Sequence, residues 1–188
     1  MTRGCDAPIA DDTLLDYWVR DVTDSGETDP LEEHLFACAD CSARLQQIAS
    51  LGAGLTALVR RGRVSGIVSR SLLNRLQRDG VHVRLFSLSP GETVPCAVFP
   101  GDDLVITVLR ADLSSVDAVT LSVRGPGGSS IGTADEVPVS RVDGEVLWAW
   151  PAALVRQMPS MRLQITLASA GDTGAELATY ALDHSADP

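Results

Sequence analysis

The sequence predicts an α+β protein, in which a helical amino-terminal part is followed by an antiparallel β-sandwich. In the first 80 residues, hydrophobic side chains recur at helical spacing, and from residue 81 they form short runs separated by turn clusters. Helices are not interspersed among these runs, which favours antiparallel pairing over a parallel sheet. The 188 residues are 45% hydrophobic, which is enough for a packed core.

Two short helices are expected before residue 40. The first covers the stretch DDTLLDYWVRDV, residues 11–22, whose apolar side chains share one face at helical spacing. After a polar break, Pro30 fits the first position of a second helix, because proline is favoured there. This second helix would begin just before His34.

Residues 43–80 predict two further helices with a weak joint. Two sets of apolar residues follow the helical period: Leu45, Ile48, Leu51, Leu55 and Leu58, and then Ile67, Val68, Leu72 and Leu76. Gly52, Gly54, Gly62 and Gly66 each lower helix stability by up to about 1 kcal/mol relative to alanine. One unbroken rod is therefore not expected, and Gly80 is a natural terminator.

Seven runs after residue 80 have strand spacing. They are VHVRLFSL, TVPCAVF, DLVITVL, DAVTLSV, GEVLWAW, MRLQITLAS and ELATYALDH. That number is typical of an immunoglobulin-like sandwich, with a metal-free cupin as the less favoured alternative. The stretch PAALVRQMP predicts a short helical turn between two strands. We therefore predict a helical domain over residues 1–50, a basic helical connector over 51–80 and a β-sandwich domain over 81–188.

Charge is distributed in three blocks of alternating sign. Residues 1–42 carry eleven acidic residues and two Arg, residues 43–85 carry eight Arg and one acidic residue, and the remainder is acidic again. The net charge of −10 argues against a protein that binds nucleic acid through its whole surface. With no signal peptide and no apolar segment of membrane-spanning length, we expect a cytoplasmic protein that is not bound to a membrane.

Several residues of the second half are predicted to be structural. Trp148 and Trp150 face the same side of a strand, as core residues or, less favoured, as an exposed patch. Cys96 is expected to be buried in a strand. His82 and His184 are expected on a strand surface or at a strand end.

The stretch EEHLFACADC crowds metal-binding side chains together. In a helix, His34 and Cys38 lie one turn apart on one face, and Cys41 follows after two residues, a spacing typical of tetrahedral zinc sites. Thiolate and imidazole donors suit Zn²⁺, and cysteines in a reducing compartment are more often ligands than disulfides. A closed site needs a fourth ligand. Cys5 can supply it, and Asp11, Asp12 or water are alternatives.

A plainer interpretation of the same stretch is a buried helix whose cysteines act as small apolar residues. We consider this less favoured, because Leu35 and Phe36 already provide a packing face and the three-residue cysteine spacing is typical of metal sites.

The motif HLFACADCSARL, preceded by LLDYWV and a polar turn, resembles the zinc-binding anti-sigma domain of bacteria over about residues 5–60. The resemblance implies a three-helix bundle held by zinc, with a further helix that packs against an extracytoplasmic-function sigma factor and blocks its access to RNA polymerase. His34, Cys38 and Cys41 carry over as ligands. Cys5 matches the amino-terminal ligand in kind, although the segment before LLDYWV is longer than is typical.

The predicted partner is therefore a sigma factor. Arg60, Arg61 and Arg63 could meet acidic residues on it, or could lie on a solvated helical face or one folded back against the acidic first block. The signal for release would be oxidation of the zinc thiolates or ligand binding by the sandwich. An alternative function is a zinc-stabilised scaffold whose sandwich binds another protein, with no sigma factor involved.

Enzymatic activity is not expected. The stretch GSSIG, with Ser130 at its centre, matches the nucleophile motif of hydrolases, and Asp183 and His184 follow in hydrolase order. That motif requires a strand before the serine and a helix after it, and Pro138 breaks any helix here.

Overall fold

The computed structural model describes residues 5, 7–19, 29–139, 143–171 and 174–186. Over these residues the chain forms two β-sheets and five α-helices. The helices are α1 (Asp11–Val19), α2 (Asp29–Ala37), α3 (Ala39–Arg60), α4 (Arg70–Arg78) and α5 (Ala152–Arg156). The strands are β1 (Gly66–Val68), β2 (Val83–Leu88), β3 (Thr93–Ala97), β4 (Leu104–Arg110), β5 (Ala118–Arg124), β6 (Ser130–Pro138), β7 (Glu145–Pro151), β8 (Met161–Ser169) and β9 (Glu176–Ser185).

The strands form one sheet of four and one of five. Sheet A has the order β1-β7-β4-β2, and sheet B has the order β3-β9-β8-β5-β6. Each of the seven predicted runs contains one strand, and the predicted helical turn is α5. The mixed α+β class is therefore confirmed, whereas the immunoglobulin-like assignment and the cupin alternative stay predictions.

The prediction of purely antiparallel pairing is wrong at two sheet edges. Strand β2 runs parallel to β4, and β3 runs parallel to β9, while the other five pairs are antiparallel. Parallel neighbours need a long crossover connection. Here β3 supplies it, because the chain leaves β2, forms β3 in sheet B and returns to sheet A as β4.

The two sheets share one hydrophobic core, and sheet A has a second core on its other face. Alternate residues of β4 divide between them: Val105 and Leu109 pack toward sheet B, while Ile106 and Val108 pack toward α3 and α4. Strand β4 is accordingly buried on both sides over six of its seven residues. Trp148 and Trp150 are buried between the sheets, which confirms the prediction of core residues.

The segment predicted as a helical connector also contains a short β-strand. Helix α3 passes through Gly52 and Gly54 without a break and crosses the predicted boundary at residue 50. Ile67 and Val68, assigned by period to the second helix, form β1 and pair with β7. The joint between the two helices therefore lies at residues 61–69, and the division into three domains stays a prediction.

Strand β6 was not predicted from the sequence. Its residues SIGTADEVP include acidic residues, glycine and proline, all of which are depleted in strand interiors. It lies at the edge of sheet B, where such residues are tolerated because one side of the strand has no ladder to complete. Among the described residues, no helix is long and apolar enough to cross a membrane.

Candidate metal centre

Four side chains from three separate parts of the chain meet at one point. The ligand atoms of Cys5, His34, Cys38 and Cys41 all lie within 4.8 Å of one another. The Cys5 sulfur is 3.5 Å from Nε2 of His34 and 3.9 Å from the sulfur of Cys41. The structure therefore brings together all four predicted ligands, and none of these cysteines is in a disulfide.

The junction of α2 and α3 positions three of them. Helix α2 ends at Ala37, and Cys38 has an extended backbone with φ −114° and ψ 107° before α3 begins. The Cys38 N–H still donates to the His34 carbonyl at 2.8 Å, which holds the two side chains one turn apart. Cys41 lies in the first turn of α3.

Cys5 reaches the cluster from the segment before α1. Its backbone N–H donates to Oδ2 of Asp40 at 3.2 Å, a contact that fixes this segment beside the start of α3. The two alternative fourth ligands are engaged elsewhere: Asp11 pairs with Arg44, and Asp12 accepts a hydrogen bond from the backbone N–H of Thr13.

Two residues that support the centre were not predicted. Asp40 is one, and Arg44 is the other, since Arg44 binds both the side chain of Asp11 and the carbonyl of Ile9 at 2.7 Å. The sequence did carry a signal for Arg44, because it follows Cys41 by three residues and therefore shares its helical face. Together these two side chains tie the amino-terminal segment to α3.

The hydrophobic core around the centre is small. Its buried members are Leu14, Leu35 and Cys41, with partly buried residues around them: Cys5, Ile9, Tyr17, Leu31, Cys38, Leu45 and Ile48. Tyr17 links α1 to α2 through a 3.2 Å hydrogen bond from its hydroxyl to Glu32. Partial burial is the main cause of the raised pKa of the Tyr17 hydroxyl, and the negative charge of Glu32 adds to it.

The thiols have unequal proton affinities. Interaction with the backbone N–H of Cys41, followed by the Cys5 side chain, lowers the pKa of the Cys38 thiol to about 7. Desolvation, followed by hydrogen bonding to Cys38, raises the pKa of the Cys5 thiol to about 11. The thiol and thiolate forms of Cys38 are therefore both populated near neutral pH, whereas a metal that binds Cys5 must displace its proton.

The donor set fits a tetrahedral metal ion. With Zn–S bonds of about 2.3 Å and Zn–N bonds of about 2.0–2.1 Å, tetrahedral geometry places two sulfurs about 3.8 Å apart and sulfur and nitrogen about 3.5 Å apart. The contacts from Cys5 to Cys41 and to His34 have these lengths. Three sulfurs and one imidazole could therefore hold one metal ion.

The carboxyl end of α1 is held by α4. Arg75 donates to the Trp18 carbonyl at 3.0 Å and stacks over the Trp18 ring, 4.7 Å from its centroid. Arg78 donates to the Val19 carbonyl at 2.8 Å. These carbonyls have no partner within the helix, and cations stabilise this end of a helix. We call this set of contacts the arginine clamp.

The remaining residues singled out in the sequence lie apart from the centre. Arg60 donates to the carbonyl of Asp79, while Arg61 and Arg63 are exposed. His82 is exposed ahead of β2, as predicted for a strand end. His184 lies at the end of β9, as predicted, but it is buried there, and its Nε2 lies 3.2 Å from the carbonyl oxygen of Met158.

Cys96 is buried in β3, as predicted, and burial raises the pKa of its thiol to about 11. Ser130 lies in β6, separated from His184 in β9 by two intervening strands, or about 14 Å at the usual strand spacing. The structure does not bring this pair together.

Comparison of the chain with protein-family models found no match, and comparison with curated proteins also found none. What the chain does must therefore be inferred from its residues and its structure.

Proposed function

We propose that the chain is a zinc-dependent, anti-sigma-like regulator that sequesters an extracytoplasmic-function sigma factor in the cytoplasm. It acts by steric occlusion and catalyses no reaction. The observation that carries the proposal is the convergence of Cys5, His34, Cys38 and Cys41 within 4.8 Å, in the pattern by which the sequence resembles anti-sigma domains.

The composition of the centre supports zinc in a structural role. Thiolates and imidazole are the donors that Zn²⁺ prefers, and four protein ligands leave no open position for a substrate. When bound, the ion would join the segment before α1 to the junction of α2 and α3. It would thereby fix the surfaces that a partner meets.

The surface of the helical part supports a protein partner. Phe36 is 91% exposed, Leu51 is 75% exposed and Leu15 is 48% exposed, although all three are large apolar side chains. Large apolar side chains that share an exposed surface are typical of protein interaction sites, and Leu15 and Leu51 line one groove beside α1 and α3. A partner bound over these two side chains would lose access to whatever else binds there.

One observation favours the alternative, a zinc-stabilised scaffold without a sigma partner. The resemblance implies a further helix that packs on the sigma factor, and α4 is the helix in that position. Its residues Leu73 and Leu76 are buried in the core it shares with sheet A. In this arrangement α4 cannot present its apolar face to a partner.

The test measures metal content and sigma binding in the same samples. We expect one zinc per chain in the wild type and in Cys96→Ala, the matched control for a cysteine outside the centre. We expect none in His34→Ala/Cys38→Ser. Elemental mass spectrometry gives the zinc content, and co-purification with extracytoplasmic-function sigma factors gives the complex.

A stoichiometric complex that is present in the wild type and the control, and lost in the double variant, supports the proposal. Full retention of the complex by the zinc-free variant would contradict metal dependence. Zinc in the wild type without binding to any sigma factor would favour the scaffold.

A further inference from the structure

We infer that a groove between α1, α3 and the start of α4 is the docking surface for one amphipathic α-helix of a protein partner, with basic residues flanking its apolar face. This inference deepens the proposed function, because it specifies where on the chain the partner binds and what chemistry the partner presents.

The groove is large and mainly apolar. It encloses about 880 Å³, and its apolar lining includes Leu15, Trp18, Ile48, Leu51, Leu55 and Leu72. Leu51 and Leu15 are largely exposed. Burying these side chains under a partner would remove apolar surface from water, which is the main favourable term in association.

The groove is formed before any partner arrives. Gly52 lies against the six-membered ring of Trp18, so that α1 approaches the backbone of α3 where a larger residue would collide with the ring. The arginine clamp holds the end of α1 from the other side. Because the walls are fixed, a partner loses little free energy in ordering them.

The dimensions suit a helix. Helix α1 has nine residues and is therefore about 13 Å long, which corresponds to two to three turns of a bound helix. An amphipathic helix presents residues i, i+3, i+4 and i+7 to such a groove. Its remaining faces stay in water or contact the rim.

Charge selects a basic partner. Asp11, Asp16 and Arg44 lie among the groove residues, Arg44 is paired with Asp11, and Asp12 is exposed beside them, so acidic side chains are in excess along α1. A protein that binds DNA carries basic surface helices, so an acidic groove would attract them. A second copy of this chain is disfavoured as the occupant, because each copy has a net charge of −10.

The groove is tested first with a defined probe and the full metal-loaded chain. The probe is an 18-residue synthetic helix with leucine at i, i+3, i+4 and i+7 and lysine elsewhere, and its twin carries glutamate in place of lysine. Trp18 emission reports binding, since Trp148 and Trp150 are buried between the sheets. We compare Leu15→Gln/Leu51→Gln with Phe36→Gln, an exposed apolar residue outside the groove lining.

We expect the lysine helix to bind and to shift Trp18 emission, the double variant to bind it at least tenfold more weakly, and Phe36→Gln to bind it as the wild type does. Failure of the lysine helix to bind overturns the inference. Equal binding of the glutamate twin, or equal weakening by Phe36→Gln, overturns it as well. A dimer of the chain that the double variant abolishes would assign the groove to a second copy and would also overturn it.

The same variants, tested on a sigma factor, separate this inference from the proposed function. If a sigma factor binds and the double variant leaves its affinity unchanged, the groove is not its docking surface and the proposed function survives. If no sigma factor binds but the lysine helix does, the proposed function is contradicted and the inference that the groove is a docking surface is supported.

Discussion

The helical part around the metal centre and the β-sandwich are stabilised in different ways. Only Leu14, Leu35 and Cys41 are buried in the core of the helical part, among the described residues. The core between the two sheets has twenty-one buried members. Small units rarely bury enough apolar surface to fold by that means alone, and a metal commonly supplies the difference. If the proposed metal binds, the chain combines a helical part held by side-chain ligands with two sheets held by packing.

The largest expected effect is that of metal removal. Structural zinc binding contributes about 10–16 kcal/mol in small zinc units, far more than three buried side chains can replace. With a chelator present, we expect the amides of α1, α2 and the first turns of α3 to lose protection from hydrogen exchange. Those of β8 and β9 should keep theirs. Unchanged exchange over residues 11–19 would show that the small core suffices.

The second-largest effect is expected when the two sheets are separated from the helices that cover sheet A. A fragment of residues 81–188 would lack Val59, Leu73 and Leu76, which cover the outer face of sheet A. Each buried residue of this kind contributes about 1.5–3 kcal/mol. We expect this fragment to aggregate in light-scattering measurements, whereas residues 53–188 should stay monomeric. Equal behaviour of the two fragments would support the predicted boundary at residue 80.

A smaller effect is expected where α1 meets α3. In Gly52→Ala the new methyl group would overlap the Trp18 ring, so the ring must move, at a cost of about 1–3 kcal/mol. Gly54→Ala is the matched control: nothing lies within 4 Å of its added methyl group, and it should stabilise the helix by about 0.5–1 kcal/mol. Chemical denaturation followed by Trp18 emission measures both. A stabilising Gly52→Ala would mean that the ring does not pack on α3.

The smallest effect is expected at the arginine clamp. Arg75→Ala removes a hydrogen bond to a helix carbonyl, a cation–π contact with Trp18 and an ion pair with Asp79, which together contribute about 1–2 kcal/mol. Hydrogen exchange of the backbone amides should become faster at the end of α1 and stay unchanged around the candidate metal centre. Arg61→Ala is the control, because Arg61 is an exposed arginine in the joint between α3 and α4. If the two variants behaved alike, the clamp would have no energetic role.

The centre could be predicted almost completely from the sequence, because its ligand spacing is local. His34, Cys38 and Cys41 lie within eight residues, and the helical period alone brings them together. Cys5 is 29 residues from His34, and Asp11, Asp12 and water were alternatives to it as the fourth ligand. Only the folded segment before α1 shows that Cys5 lies beside the other three side chains.

The positions of most strands could be predicted from the sequence, but which strands pair with each other could not. Alternation along a strand says which residues are buried, and it does not say which neighbour the strand meets. The parallel edges and the pairing of β1 with β7 depend on contacts between distant parts of the chain. Strand β6 was missed because its composition is that of a turn, and its position at a sheet edge makes that composition acceptable.

Helix α3 belongs to both halves of the molecule. Its first turn carries Cys41 of the metal centre, and its last turn carries Val59, buried against sheet A. At 22 residues it is about 33 Å long, so a tilt of about 5° at one end displaces the other by about 3 Å. A tilt of α3 at the end that carries Cys41 would therefore move Val59 against sheet A.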